Sequence, residues 1–406
     1  MKKLIAIILV ALLLVGCMSV FAGCTSREDT LKILNWAEYI DEDLCDAFIK
    51  HISDTENGRT VKIRYTSVET NEEMYTKIKR NRDFDIVCPS DYMIAKMISE
   101  DLLNKIDFTN IPNAANTSAF VKDLYKQYKG INIDEYTVGY TWGTMGIIYN
   151  PELIKEALGY TDAQVEELVS SWNALWAKDP SGQIINGLKN KITFKNSIRD
   201  NYFVASTYVN GNASLANNTS AANITAVKDA LREQKSVSKF WEVDLTRDEI
   251  TDKSRDILLG LQWAGDAQYS ISEAAKNGMT LKYSIPKEGS NVFFDGWVIP
   301  KSAKNQSLAE KFLNFMCDVD NAAQNMQYIG YSSTIITEEF FDNAFIKEDG
   351  IETDVSYFLG LSTPIMKVVN PTYYPSLEVL NTCVVMLDFG DDYRAVNKMW
   401  NEVKSK

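Results

Sequence analysis

The chain has 406 residues and a single histidine, His51. One imidazole cannot make a multi-histidine zinc site, and a Ser-His-Asp triad would have to be built on that one residue. Bases are also in deficit, with 42 Lys+Arg against 55 Asp+Glu and a formal net charge of -13. A nucleic-acid binder presents a basic face to neutralise phosphates, so this balance argues against one. C-x-x-C is absent. Cys45, Cys88, Cys317 and Cys383 are widely spaced in apolar contexts and are expected as buried free thiols. Beyond the amino terminus there is no run of 18 apolar residues, which excludes a channel or a transporter formed by this chain alone. No internal repeat or long low-complexity segment occurs.

What is present is a globular composition, 45% hydrophobic and 11% aromatic, enough to bury a large core in roughly two domains. Lys2 and Lys3 precede the apolar run Leu4 to Val15, the pattern of an export signal. Gly-Cys follows twice, at Gly16-Cys17 and Gly23-Cys24, and each resembles the lipobox of bacterial lipoproteins. Cys24 is the expected lipidated residue, because Met18 to Ala22 is still mostly apolar and Thr25 to Asp29 is polar; Cys17 is the alternative. This divides the chain into a signal at 1–23 and a tether at 24–30, and places the bulk outside the cytoplasmic membrane. A transmembrane anchor over Leu4 to Ala22 has the same consequence for the rest of the chain.

After the tether, strand and helix alternate. Leu31 to Trp36 reads as a buried strand. Ile40, Leu44, Phe48 and Ile52 then form a helical stripe. Val61, Ile63 and Tyr65 alternate as a second strand, and Phe84 to Cys88 makes a third, stopped by Pro89. This order implies an α/β fold with a parallel, doubly wound sheet. In such sheets ligands bind beyond the carboxyl ends of the strands. Trp36, Glu38 and Tyr39 follow the first strand; Ser90 and Tyr92 follow the third. Gly139 to Tyr149 is extended and leads into a second lobe. There Ile192 to Phe194 reads as a strand, Ser197 to Tyr208 as a helix, and Ile257 to Trp263 leads into a strand followed by a helix.

The residue runs Asn35-Trp36-Ala37-Glu38-Tyr39, Pro89-Ser90-Asp91-Tyr92, Trp142-Gly143-Thr144, Trp263-Ala264-Gly265-Asp266, Pro286-Lys287-Glu288-Gly289, Phe293-Phe294-Asp295 and Ile329-Gly330-Tyr331 occur in this order. Together they resemble the spermidine/putrescine-binding proteins of ABC importers, from about Leu31 to Trp400. The resemblance implies a two-lobed, type II periplasmic-binding-protein fold, each lobe a doubly wound sheet with helices on both faces. Lobe 1 is expected at 31–139 and 295–340, and lobe 2 at 140–294 and 341–406. It also implies a monomeric, extracytoplasmic receptor without cofactor that delivers putrescine or spermidine to a membrane permease and its ATPase. Trp36, Tyr39, Ser90, Tyr92, Asp200, Trp263, Asp295 and Tyr331 match ligand-contacting positions of that family. Asp266 and Phe293 look like its putrescine-preferring branch, and Glu38 is a further candidate at the rim. Ser197 stands where the spermidine type has aspartate. Such a pocket sets three or four acids against no committed base, which separates it from sugar sites. Other small solutes as cargo, and a glycoside hydrolase working through Asp266 and Asp295, are the competing expectations.

Overall fold

The computed structural model describes residues 26–80, 82–242 and 245–405. The expected signal at 1–23 and both candidate lipidation sites, Cys17 and Cys24, lie outside the described residues. Among those described, no helix is long and apolar enough to cross a membrane. Cys45, Cys88, Cys317 and Cys383 are all free thiols; Cys45 is half-buried and the others are buried.

The chain is mixed α/β. The strands of its main sheet are β1 (Thr30–Trp36), β2 (Lys62–Val68), β3 (Ile86–Val87), β4 (Leu103–Asn104), β5 (Thr137–Tyr149), β6 (Ile192–Phe194), β7 (Ser238–Trp241), β8 (Leu259–Trp263), β9 (Lys282–Ser284), β10 (Val292–Pro300) and β11 (Ser332–Ser333). They join into one continuous sheet in the order β2-β1-β3-β10-β5-β8-β6-β7, with β4, β9 and β11 alongside. At one end β1 pairs parallel with β2 and β3; at the other β6 pairs parallel with β7 and β8. The long antiparallel pair of β10 and β5 lies between them and links the two lobes.

Local chemistry sets the elements. Asp41 caps the helix Glu42–Thr55 by accepting from the Asp43 amide, and Leu44, Phe48 and Ile52 form its buried stripe. Asn150 caps the helix Pro151–Leu158, with proline at its first position, and so ends β5. All thirteen residues of β5 are buried, Thr137, Thr141 and Thr144 among them, as befits a strand covered on both faces. Arg27 pairs with Asp83 and with the fully buried Asp85, so from Arg27 onward the expected tether is fixed to the first lobe.

Two groups of core residues define the lobes. Leu34, Val87, Tyr92, Trp142 and Phe294 belong to the first; Met145, Trp172, Phe194, Leu259 and Trp400 belong to the second. The change of side therefore falls between Trp142 and Met145 on β5. Val384 and Asn291 cross at the same level, joined by a parallel bridge. The expected placement of 341–406 in lobe 2 is corrected by this packing. Phe341, Val355, Phe358, Val369, Tyr374, Cys383 and Val385 pack in the first core, and the buried residues from Met386 onward return to the second. The cause is Trp142, whose ring meets Phe120, Phe358 and Tyr374 at 5.0, 5.5 and 5.9 Å.

Gly146 shows how tightly the linking strand is packed. A Cβ there would lie 2.5 Å from the backbone oxygen of Ser284 and 2.5 Å from the Tyr283 ring. Gly146→Ala should cost about 1–3 kcal/mol through overpacking. Thermal melts should show the loss as a Tm lower by a few degrees.

Candidate functional site

Trp36 ends β1, Trp263 ends β8 and Ser90 follows β3, while Phe293 and Asp295 lie on β10 in the β5–β10 pair. On the first-lobe side the centre is Asp295. Asp295 pairs with Thr141 in register, and the β10–β5 ladder shifts register between Asp295 and Gly296. Such a bulge re-aims a side chain. The Tyr39 hydroxyl donates to Asp295 Oδ2 at 2.7 Å and also meets Thr141 Oγ1 at 2.6 Å. The phenol has one proton and gives it to the carboxylate, so Thr141 donates to the phenol oxygen.

Ser90 stands at the N-cap of the helix Asp91–Ser99, but its side chain makes no capping bond. Asn71 holds it instead, donating from Nδ2 to Ser90 Oγ at 3.0 Å and accepting the Ser90 amide at 3.0 Å. A β-bridge between Ser90 and Asp295 sets the hydroxyl beside the carboxylate. Burial pushes the Asp295 carboxyl up to about 6, against Tyr39 and Ser90, which both favour its charged form. Its second oxygen, Oδ1, is buried and accepts no hydrogen bond from the described residues.

The second-lobe side is built on Trp263, which ends β8 and precedes the helix Ala264–Lys276. Asp266 lies in the first turn of that helix and accepts from the Tyr331 hydroxyl at 2.8 Å. Gly330, at φ 79°, terminates the helix Val319–Ile329 and turns Tyr331 inward. A side chain at Gly265 is impossible without movement, since a Cβ would lie 2.2 Å from the Tyr331 ring. The rings of Tyr331 and Tyr39 meet edge-on at 5.0 Å in one first-lobe cluster, so it is the bond of Tyr331 to Asp266 that joins the two sides of the site. Asp200 sits in the first turn of the helix Ile198–Asn210, whose N-cap is Ser197. The Asp200 carboxyl is raised by burial, opposed by Lys195, by Ser197 and by the Trp263 indole.

The aromatic candidates gather as expected. Trp36, Trp263 and Phe293 are half-buried against one cluster that contains Tyr39 and Tyr331. Phe293 faces Gly143, where a Cβ would lie 3.2 Å from the ring tip. Two candidates are committed elsewhere. Glu38 is exposed, in the left-handed region at φ 50°, and its Oε2 pairs with Arg247 Nη2 at 2.9 Å across the lobes. Tyr92 is buried under the Arg199 guanidinium, 3.7 Å from its ring centroid.

The expectation of a pocket without a committed base is corrected. Lys195 is fully buried, its Nζ 3.5 Å from the Trp263 ring centroid and 3.7 Å from Asp266 Oδ2. Arg199 pairs with Asp388 at 2.7 Å, and Arg247 with Glu38. Sequence reasoning missed all three bases. One signal could have found Lys195: it follows the last residue of β6, the position where parallel strands deliver their site residues.

A buried carboxylate with a raised pKa holds its proton when folded at a pH where the unfolded chain has released it. Folding is thus favoured as pH falls from 7 through 6, and the gain levels off below the ordinary value of 3.8. The displacement corresponds to about 3 kcal/mol at neutral pH. In ligand-free melts between about pH 7 and pH 5, the wild type should gain Tm relative to Asp295→Asn. Asp91 is pushed up to about 7 by burial and, further, by the Asp295 charge; replacing Asp295 lowers it, so its share of the gain is also larger in the wild type. Parallel curves would show that Asp295 carries no such cost.

Comparison with known proteins agrees with this architecture. Residues 44–353 match the family described as bacterial extracellular solute-binding protein. The chain is 26% identical over 403 residues to the putrescine-binding periplasmic protein SpuD of Pseudomonas aeruginosa, covering 98% of this chain and 97% of that one. It is 29% identical over 312 residues to the spermidine/putrescine-binding periplasmic protein of Salmonella typhimurium, covering 76% and 79%. Among solved structures, a putative spermidine/putrescine ABC transporter from Listeria monocytogenes superposes with a TM-score of 0.70 at 30% identity, covering 93% of this chain and 99% of that one. With its two lobes, its linking strands and its site between them, the chain belongs to the bacterial extracellular solute-binding proteins and, within them, resembles the spermidine/putrescine-binding group.

Proposed function

We propose that this protein captures a linear aliphatic polyamine, putrescine or spermidine, outside the cytoplasmic membrane and delivers it to an ABC permease and its ATPase. Cys24 carries a lipid that holds it at the membrane surface, and the chain acts as a monomer. The observation that carries the reading is the free oxygen of Asp295. A buried carboxylate oxygen without a donor is costly. An ammonium entering the cleft loses its hydration and needs an acceptor of opposite charge. Each supplies what the other lacks. The half-buried rings of Trp36, Trp263 and Phe293 suit the methylene chain between two ammonium groups, since ring faces attract cations and cover alkyl stems.

Binding needs no covalent step. Ligand that touches Asp295 on one lobe and Asp266 and Asp200 on the other does so only when the lobes are together, so it draws the open form closed. The cross-lobe contacts of the protein itself then act as a latch: Tyr331 with Asp266, Arg199 over Tyr92, Lys96 with Asp388 at 3.3 Å and Arg247 with Glu38.

Calorimetry on the chain from residue 25 onward, which keeps every described residue, should show heat with putrescine, spermidine or both. Absence of heat and of any thermal shift with either removes the reading. Asp295→Asn should weaken each amine that binds by about 30-fold or more, because it leaves a buried ammonium without its counter-charge. An unchanged affinity would place the amine elsewhere.

A further inference from the structure

Lys195 is the buried charge that the polyamine reading does not use. Its side chain has no exposed surface, whereas lysine is almost never fully buried unless paired. It leaves the end of β6 toward Trp263 and Asp266 of the same lobe, and its backbone is pinned by Asn201, whose Nδ2 donates to the Lys195 carbonyl at 2.6 Å. The ammonium lies on the Trp263 face at 3.5 Å and beside Asp266 at 3.7 Å, and its charge also favours the ionised form of Asp200. An aromatic face with carboxylates at its edge is the environment that a cargo ammonium needs. In this chain a lysine stands in it.

We propose that the Lys195 ammonium is a resident cation of the cleft, occupying the place of one amine and restricting the site to linear diamines over triamines. The inference rests on the polyamine reading above and names the residue that sets ligand length. The charges support it. Asp200, Asp266 and Asp295 are buried, and the Lys195 ammonium lies beside Asp266 and favours the ionised form of Asp200, so among these four side chains two carboxylates' worth of charge is left for a ligand. Arg199 and Arg247 lie at the edge of the site, where Arg199 shares Asp388 with Lys96 and Arg247 pairs with Glu38. A dication matches what remains. A trication must either displace Lys195 from Trp263 or set a third ammonium beside it, and like charges in a desolvated cleft repel strongly.

The experiment is a calorimetric comparison of putrescine and spermidine on the wild type, Lys195→Met and Lys195→Arg. The wild type should prefer putrescine. Removing the charge in Lys195→Met should raise the spermidine-to-putrescine affinity ratio by about tenfold or more, and Lys195→Arg should keep the wild-type ratio. If neither amine binds the wild type, the polyamine reading fails. If amines bind and the ratio in Lys195→Met is unchanged, only the role of Lys195 fails. Should Lys195→Met not fold, a crystal structure of the wild type with putrescine decides. Lys195 Nζ still on the Trp263 face supports the inference, and a ligand amine in its place overturns it.

Discussion

The structure depends on keeping carboxylates charged in a place that water does not reach. Asp295 is the sharpest case. It hangs from the strand that links the lobes, at a bulge that turns it out of the ladder, and it holds one satisfied oxygen and one unsatisfied oxygen. A fully satisfied carboxylate would be stable and inert, with nothing left for a ligand. An entirely unsatisfied one would protonate. The arrangement of Tyr39 and Thr141 lies between these limits: one oxygen is fixed in direction by a phenol that is itself held, and the other stays available.

Closure follows from the same constraint. The latch contacts are individually modest. Glu38 is largely exposed, and such an ion pair contributes about 0–1 kcal/mol. The Arg199–Tyr92 contact is buried and stronger, of the order of 2 kcal/mol. Contacts of this size bias the closed form without making it irreversible. Ligand must supply the larger share, and that lets a receptor release what it has captured when a partner pulls the lobes apart.

The fold was largely legible because it is written in periodicity. The Leu44, Phe48, Ile52 stripe and the strand-helix alternation of the first lobe became elements close to where they were expected. The β-bulge at Asp295 leaves no mark in a residue pattern, and neither does the bond of Tyr39 across 256 positions. The lobe assignment of 341–383 was illegible for a related reason. Nothing local tells Phe358 or Tyr374 that Trp142 is their neighbour, and that contact decides the side on which they pack. In the site, acidic and aromatic residues stood out as candidates because their chemistry suits a cation. Lys195 was invisible for the opposite reason, since a lysine in a sequence reads as surface until its burial is seen.

The buried lysine changes how the acidic site works. A cleft lined by acids alone would set like charges together with little water to screen them. A lysine placed between Asp266 and the Trp263 face neutralises part of that charge from within the protein. The cost of the empty site to folding is smaller for it, and the charge that remains is the charge a ligand must match. Selectivity and stability thus draw on the same residue. The lysine that makes the empty cleft tolerable also fixes how many ammonium groups the cleft can accept.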